Sequence, residues 1–246
     1  CESLTKSVQH KRFIKKTKWN PGFMRYTSER FLYLCDLMIQ HNLQNIFHLE
    51  YDNMLYVDLS ELFPVFKNLY KGIAATFDND QRCIPGFVFI SNKHAMNYLA
   101  MFFAEQAHKG FNDMEVLAKF KTAFGNKFID NLPIITKKYT ENNVMISPAG
   151  HKANNAQLYY NNIEAFKSIF DAAALGQYLG GIDPNNGPSS PGFINESCVF
   201  NPSLLLYEWI DDDQGRKIPY IFYSGEKYRI NNLHIHCKNL ELFISK

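Results

Sequence analysis

The chain has 246 residues, of which 46% are hydrophobic and 20% charged, with a formal net charge of +2. That composition excludes a disordered segment, and the length suffices to bury a sizeable core in one domain. The charge balance carries no message about partners, and nucleic acid is not expected among them. Five cysteines, at 1, 35, 83, 198 and 237, show no paired spacing and leave one over, which points to reduced thiols in a cytoplasmic setting rather than a disulfide framework. The apolar run Met96 to Ala104 is too short to span a bilayer, which takes about 20 residues. No secretory signal is visible.

Residues 1–26 are polar and basic, with Lys6, Lys11, Arg12, Lys15, Lys16 and Lys18 crowded together. The expectation is a poorly structured, solvated lead segment; peripheral contact with anionic lipid, or with a nucleotide, is the sharper alternative. A helix is predicted from Thr27 or Ser28 to Asn42, because Phe31, Leu34, Cys35 and Met38 follow the spacing of one buried face. Asn45 to Asp52 then reads as a strand, and Met54 to Val57 as a second. A helix over 60–71 follows, with Pro64 expected in its first turn, where a missing N–H costs little. Gly72 to Phe77 reads as a strand, Asp78-Asn79-Asp80 as a turn, and Ile84 to Ile90 as an apolar strand with Gly86 near its start. Asn92 and Asn112 or Asp113 are the caps predicted for the next two helices. Residues 132–162 read mostly as loop, 163–178 as one helix, and 183–193 as the most loop-like stretch of all. Strands near Ser203 to Trp209 and Pro219 to Tyr223 lead to an extended Asn232 to Lys238. No repeat or linker divides the chain, so 1–246 is taken as a single domain.

Two stretches carry chemistry. In Glu50-Tyr51-Asp52 the carboxylates are two apart at the end of an apolar strand, so they share a face with Tyr51 turned away. Adjacent carboxylates repel unless a cation lies between them, and Mg²⁺ or Mn²⁺ prefers oxygen ligands. In His234-Ile235-His236-Cys237-Lys238 an extended chain puts both imidazoles on one face. Either can complete the shell of a borderline metal, and Lys238 can neutralise a phosphate. A His-x-His-x-Asp hydrolase site would need an acid where Lys238 stands. For Asp113 and Glu115, at a helix start, capping is the simplest role. Asp171 and Gln177, two helical turns apart, suggest either tight packing or a polar patch.

Taken in order from about Thr27 onward, these elements resemble the GT-A class of nucleotide-sugar glycosyltransferases, in the small bacterial or viral type that ends in a His-x-His-x-Lys-like segment. Glu50-Tyr51-Asp52 stands where that class has its Asp-x-Asp motif. The resemblance implies an α/β, Rossmann-like fold with a mixed central sheet flanked by helices. It implies Mn²⁺ or Mg²⁺ held by Asp52, Glu50 and His236 or His234, with Lys238 at the diphosphate. Gly86 would lie beside the sugar of a nucleotide-diphosphate donor, and Asp113 or Glu115 would be the catalytic base toward a glycan or other hydroxyl acceptor. The class places nucleotide-binding strands before its acidic motif, and these first strands are lacking here. The chain is therefore expected to be N-terminally truncated. The alternative functions are a sugar-nucleotide- or glycan-binding module without turnover and, behind it, a His-dependent metal hydrolase, which Lys238 disfavours.

Overall fold

The structure, a computed structural model, describes residues 4–237 and 239–245. It is a mixed α/β protein whose chain folds into two compact units. One comprises Cys1–His48, Tyr70–Ala74 and Phe89–Asp130, and the other Leu49–Leu69, Ala75–Val88 and Asn131–Lys246. Among the described residues the strands fall into three sheets rather than one central sheet. In the first, β1 (Ile46–Leu49), β4 (Arg82–Ile90), β3 (Ile73–Asn79) and β5 (Ile129–Asn131) bond side by side in that order. The other two sheets belong to the second unit.

The first unit corrects the expectation of an unstructured lead segment. Residues Val8–Lys16 form helix α1, capped by the Ser7 side chain, which accepts from the His10 N–H, and closed by Lys15 and Lys16 at its negative end. Its charge density did suggest a solvated arm. Tertiary structure overrides this through Phe13, which is buried, and His10, whose exposure is 0%. His10 Nδ1 lies 2.6 Å from Asp36 Oδ2 and Nε2 lies 3.0 Å from Glu29 Oε1, both on helix α2 (Phe23–Gln40). Both ring nitrogens thus meet a carboxylate oxygen, and the triad clasps α1 to α2. Helix α2 starts four residues before Thr27 and buries Phe31, Leu32, Cys35 and Met38. These pack on α4 (Lys93–Gln106), whose Ala95, Met96, Leu99, Ala100 and Phe103 form a continuous apolar face; its N-cap is Asn92, as predicted. Helix α5 (Asp113–Phe124) starts at Asn112 with a full capping box. Among the described residues, no helix is long and apolar enough to cross a membrane.

In the second unit, α3 (Leu59–Leu69) begins after Asp58, whose side chain accepts the Ser60 N–H. Pro64 therefore lies inside the helix, not in its first turn as expected. Strand β3 continues through Asn79, so the predicted Asp78-Asn79-Asp80 turn shrinks to Asp80-Gln81 and leaves Asp78 fully buried. The single helix expected over 163–178 is three pieces: α7 (Ile163–Phe166), β6 (Ser168–Ile169) and α8 (Leu175–Gly180). Lys167 and Ala173 turn the backbone left-handed there, with φ of 51° and 54°. Within the expected loop, α6 (Lys137–Asn142) forms a short helix capped by Thr136. Strands β7 (Leu206–Asp211), β8 (Lys217–Tyr223) and β9 (Glu226–Ile230) make an antiparallel meander, and β6 adds to β9 in parallel.

A last ribbon closes the unit. Strand β10 (Asn232–His234) pairs antiparallel with β2 (Asn53–Leu55), in the register Asn232 to Leu55 and His234 to Asn53. The core near it is aromatic: Phe66, Phe87, Phe166 and Phe170 meet with ring centroids 4.9–6.0 Å apart. Phe87 follows Gly86 in the chain and Phe170 precedes Asp171, so this cluster fixes the backbone at two points of the site described next.

Candidate metal centre

Glu50, Tyr51 and Asp52 lie beyond the end of β1, in a tight turn rather than on the strand itself. The Asn53 N–H donates to the Glu50 carbonyl at 3.1 Å, and the Glu50 N–H donates to Gly86 of β4 at 3.0 Å. The expected outcome of the spacing survives. Tyr51 is turned out, 95% exposed, while both carboxylates face a common partner, His234. That partner arrives on β10, whose pairing with β2 sets His234 opposite Asn53. The His234 Nε2 lies 2.9 Å from Glu50 Oε2 and 3.1 Å from Asp52 Oδ1, although Asp52 and His234 are separated by 182 positions in the chain. The Ile235 N–H also donates to the Asp52 carbonyl at 2.8 Å, tying the two segments by backbone as well.

His236 projects to the same place, as alternation along an extended chain requires. The two imidazole rings stand perpendicular with centroids 4.4 Å apart. One ligand atom from each of Asp52, His234 and His236 lies within 4.8 Å of the others. The wider set therefore joins two imidazoles and two carboxylates on two chain segments, all within the second unit.

Three buried residues hold this set in place. Asp171, fully buried, accepts at 2.8–2.9 Å from the N–H groups of Ala174, Leu175, Gly176 and His234. One carboxylate thus caps α8 and pins β10, which answers the sequence question about Asp171: it packs and positions. Burial pushes its carboxyl above the ordinary range, and the four N–H groups oppose that push. Gln177 does join the polar patch, with Nε2 at 2.7 Å from His236 Nδ1 and its Oε1 buried without a partner. An amide of opposite orientation would present Oε1 to an Nδ1–H, the arrangement that directs the other ring nitrogen to a metal. Asn232 donates to Asn53 Oδ1 at 2.8 Å and accepts from the Asp171 N–H at 3.3 Å, a link across the ribbon that sequence reading missed. The only signal was two asparagines flanking apolar strand residues.

Gly86 lies against His234 and Asn53. A Cβ there would stand 2.6 Å from His234 Nδ1 and 2.8 Å from Asn53 Nδ2, so the bare glycine is what lets the imidazole lie on β4. A side chain at Gly176 would likewise collide with the His234 carbonyl.

The electrostatics follow from this packing. Burial alone would push His234 down, but hydrogen bonds to Asp52 and Glu50, and their charges, outweigh it and hold the imidazole at about 9. For Asp52, burial pulls upward, and the facing His234 and His236 more than reverse it, leaving the carboxyl below its usual range. A positive charge is thus the favoured occupant of the space between these carboxylates, and in this state the His234 proton supplies it.

Asp113 and Glu115 each have a partner on the first unit. Asp113 is buried and paired with Arg30 at 2.6 Å, while Glu115 accepts from the Asn112 N–H at 3.0 Å as the far half of the capping box. Both belong to the first unit. Lys238 lies outside the described residues. Comparison with family models, with curated proteins and with solved structures finds no match for this chain.

Proposed function

We propose that the chain is a metal-dependent glycosyltransferase of the GT-A type, moving a sugar from a nucleoside-diphosphate donor to a hydroxyl acceptor. The observation that carries this reading is the convergence of Glu50, Asp52, His234 and His236, from two distant segments, on one half-buried point. The donor set fits the group. Two imidazole nitrogens with carboxylate oxygens suit Mn²⁺ better than Ca²⁺, and the mixed set is also open to Mg²⁺.

When bound, such a cation would offset the charge that develops on the departing nucleoside diphosphate. Asp52, His234 and His236 are the residues that would hold it, with Glu50 as a further carboxylate beside His234. Asp171 and Gly86 keep the His234 ring at a fixed height over β4. Gln177 sets the tautomer of His236. Lys238, two positions after His236, is the cation assigned to the phosphates. Asp113 and Glu115, either of which the resemblance implies as the base, are engaged in this structure by Arg30 and by the Asn112 cap respectively.

The test has two readouts. Mn²⁺ binding measured by calorimetry on the metal-free protein reports the centre, and Asp52→Ala should weaken it by about a hundredfold or more. Release of nucleoside diphosphate from a panel of sugar nucleotides, with Mn²⁺ and then with chelator, reports the reaction. Metal-dependent release supports the transferase. Mn²⁺ binding without release or retention of any sugar nucleotide leaves the centre standing and overturns the transferase.

A further inference from the structure

The first unit carries a surface that the proposed chemistry does not use. Helices α1 and α2 run antiparallel. The Thr5 N–H reaches Gln40 Oε1 at 3.1 Å, the Ser7 N–H reaches Asp36 Oδ1 at 3.1 Å, and His10 Nε2 reaches Glu29 at 3.0 Å. Early positions of α1 thus meet late positions of α2, so the end of α1 and the start of α2 share the turn end of a helical hairpin. Three exposed cations, Lys15, Lys16 and Lys18, collect at that end. So do Phe23, 79% exposed, Met24 and Tyr26.

Nothing in this segment offsets the charge. From Leu4 to Ser28 the sequence contains no acidic residue, and the first that follows, Glu29, is buried and already holds His10, Arg25 and Lys6. Among the described residues, none of Lys15, Lys16 and Lys18 makes an ion pair. The buried His10, held by Asp36 and Glu29, meanwhile anchors α1, so these charges are displayed on a folded element and not on a loose arm.

We propose that this hairpin end docks on an anionic phospholipid surface. Its lysines would lie among the headgroup phosphates, and Phe23, Met24 and Tyr26 would enter the boundary between headgroups and acyl chains. Lysines beside exposed aromatic and thioether side chains are the composition of an interfacial anchor, because such side chains have an apolar body and favour that boundary. The charge complementarity is with the lipid phosphates and serines of an anionic leaflet.

The test is co-sedimentation of the full chain with vesicles of phosphatidylcholine alone and of phosphatidylcholine containing about 30% phosphatidylserine. Binding is expected only to the anionic vesicles, and it should weaken as salt rises. Each lysine contributes roughly a fivefold gain in partition near such a surface, so Lys15→Glu/Lys16→Glu/Lys18→Glu should lower it by about a hundredfold or more. Phe23→Ser should lower it by about tenfold, the loss from one aromatic anchor. Circular dichroism establishes that both variants remain folded. Equal binding to the two vesicle types, no binding to either, or full retention by the triple variant overturns the proposal. A loss in the triple variant with none in Phe23→Ser also overturns it, because the surface is then a general polycation site.

Discussion

Two histidines in this protein each face two carboxylates at about the same distances, yet they are built for different work. His10 uses both nitrogens, one on Asp36 at 2.6 Å and one on Glu29 at 3.0 Å, and the whole triad is shut away from water. His234 turns one nitrogen, Nε2, to both Glu50 and Asp52, and its carboxylates keep 21% and 24% of their side-chain surface exposed. The first arrangement spreads its acceptors around the ring and leaves no point at which lone pairs meet. The second gathers them on one side, adds His236 at 4.4 Å, and leaves His234 Nδ1 against Gly86 without a partner. Composition alone cannot separate a clasp from a ligand cage. The direction in which the donors point does.

The comparison can be broken most sharply at the clasp. His10→Ala leaves Glu29 and Asp36 buried beside each other, and loss of one partner from such a group costs about 4 kcal/mol. Urea unfolding should record that loss, while Mn²⁺ affinity stays at the wild-type value. If His10→Ala weakens Mn²⁺ binding instead, the division of roles is wrong. At the cage the reverse pattern is expected. Asp52→Ala should reduce Mn²⁺ affinity by about a hundredfold or more, since removing a ligand costs at least as much as removing an outer-shell partner. The unfolding midpoint should move less than in His10→Ala, because Asp52 is only half-buried and Glu50 still faces His234 in its absence. Unchanged affinity in calorimetry would put the metal elsewhere.

A buried carboxylate with no imidazole beside it sharpens the contrast. Asp78 is fully enclosed near Arg82, whose Nε is 3.5 Å from Oδ2, with Asn195, Cys198 and the Tyr159–Asp80 pair around it. Burial pushes its carboxyl up to about 7, against the opposing pull of Arg82. A carboxyl raised in the folded state holds a proton that the unfolded chain has released. Its contribution to stability is complete below about 4 and is lost as pH rises through about 7. Asp78→Asn removes that titration, so the variant should gain on the wild type by about 2 kcal/mol between pH 5 and pH 7. Parallel pH profiles from thermal unfolding would show that Arg82 keeps Asp78 ionised throughout. The smallest effect is expected at Gln177→Leu, which removes the polar partner of His236 without touching a ligand. Mn²⁺ affinity should fall by about tenfold with stability near wild type.

Much of this was legible before any coordinates. Asn92 and Asn112 begin their helices where capping chemistry put them, because an N-cap depends on a side chain and the next three residues. His234 and His236 share a side because a spacing of two has that consequence wherever the backbone is extended; Glu50 and Asp52 share one as well, although a tight turn and not a strand carries them. Other features were hidden for identifiable reasons. Strand β9 went unread although Ser224-Gly225 introduces it with φ of 47° and 83°, the two left-handed residues of a tight hairpin turn. The apolar stretch over 163–178 satisfied helical spacing, yet Asp171 captures three successive N–H groups and starts α8 only at Leu175. Periodicity cannot register a competitor for the backbone that lies within the run itself.

By itself, then, the sequence determined an α/β chain, its helix starts, and two pairs of side chains each committed to one face. Those are local properties, set by residue spacing and by side chains that reach their own backbone. Only tertiary structure decided that the two pairs meet, through a three-residue ribbon between β2 and β10, a glycine that admits an imidazole, and a buried aspartate that pins β10. It also decided that His10 is a clasp and His234 is not. Both outcomes turn on what lies on each side of a ring, and contacts between residues up to 182 positions apart leave no trace in local pattern.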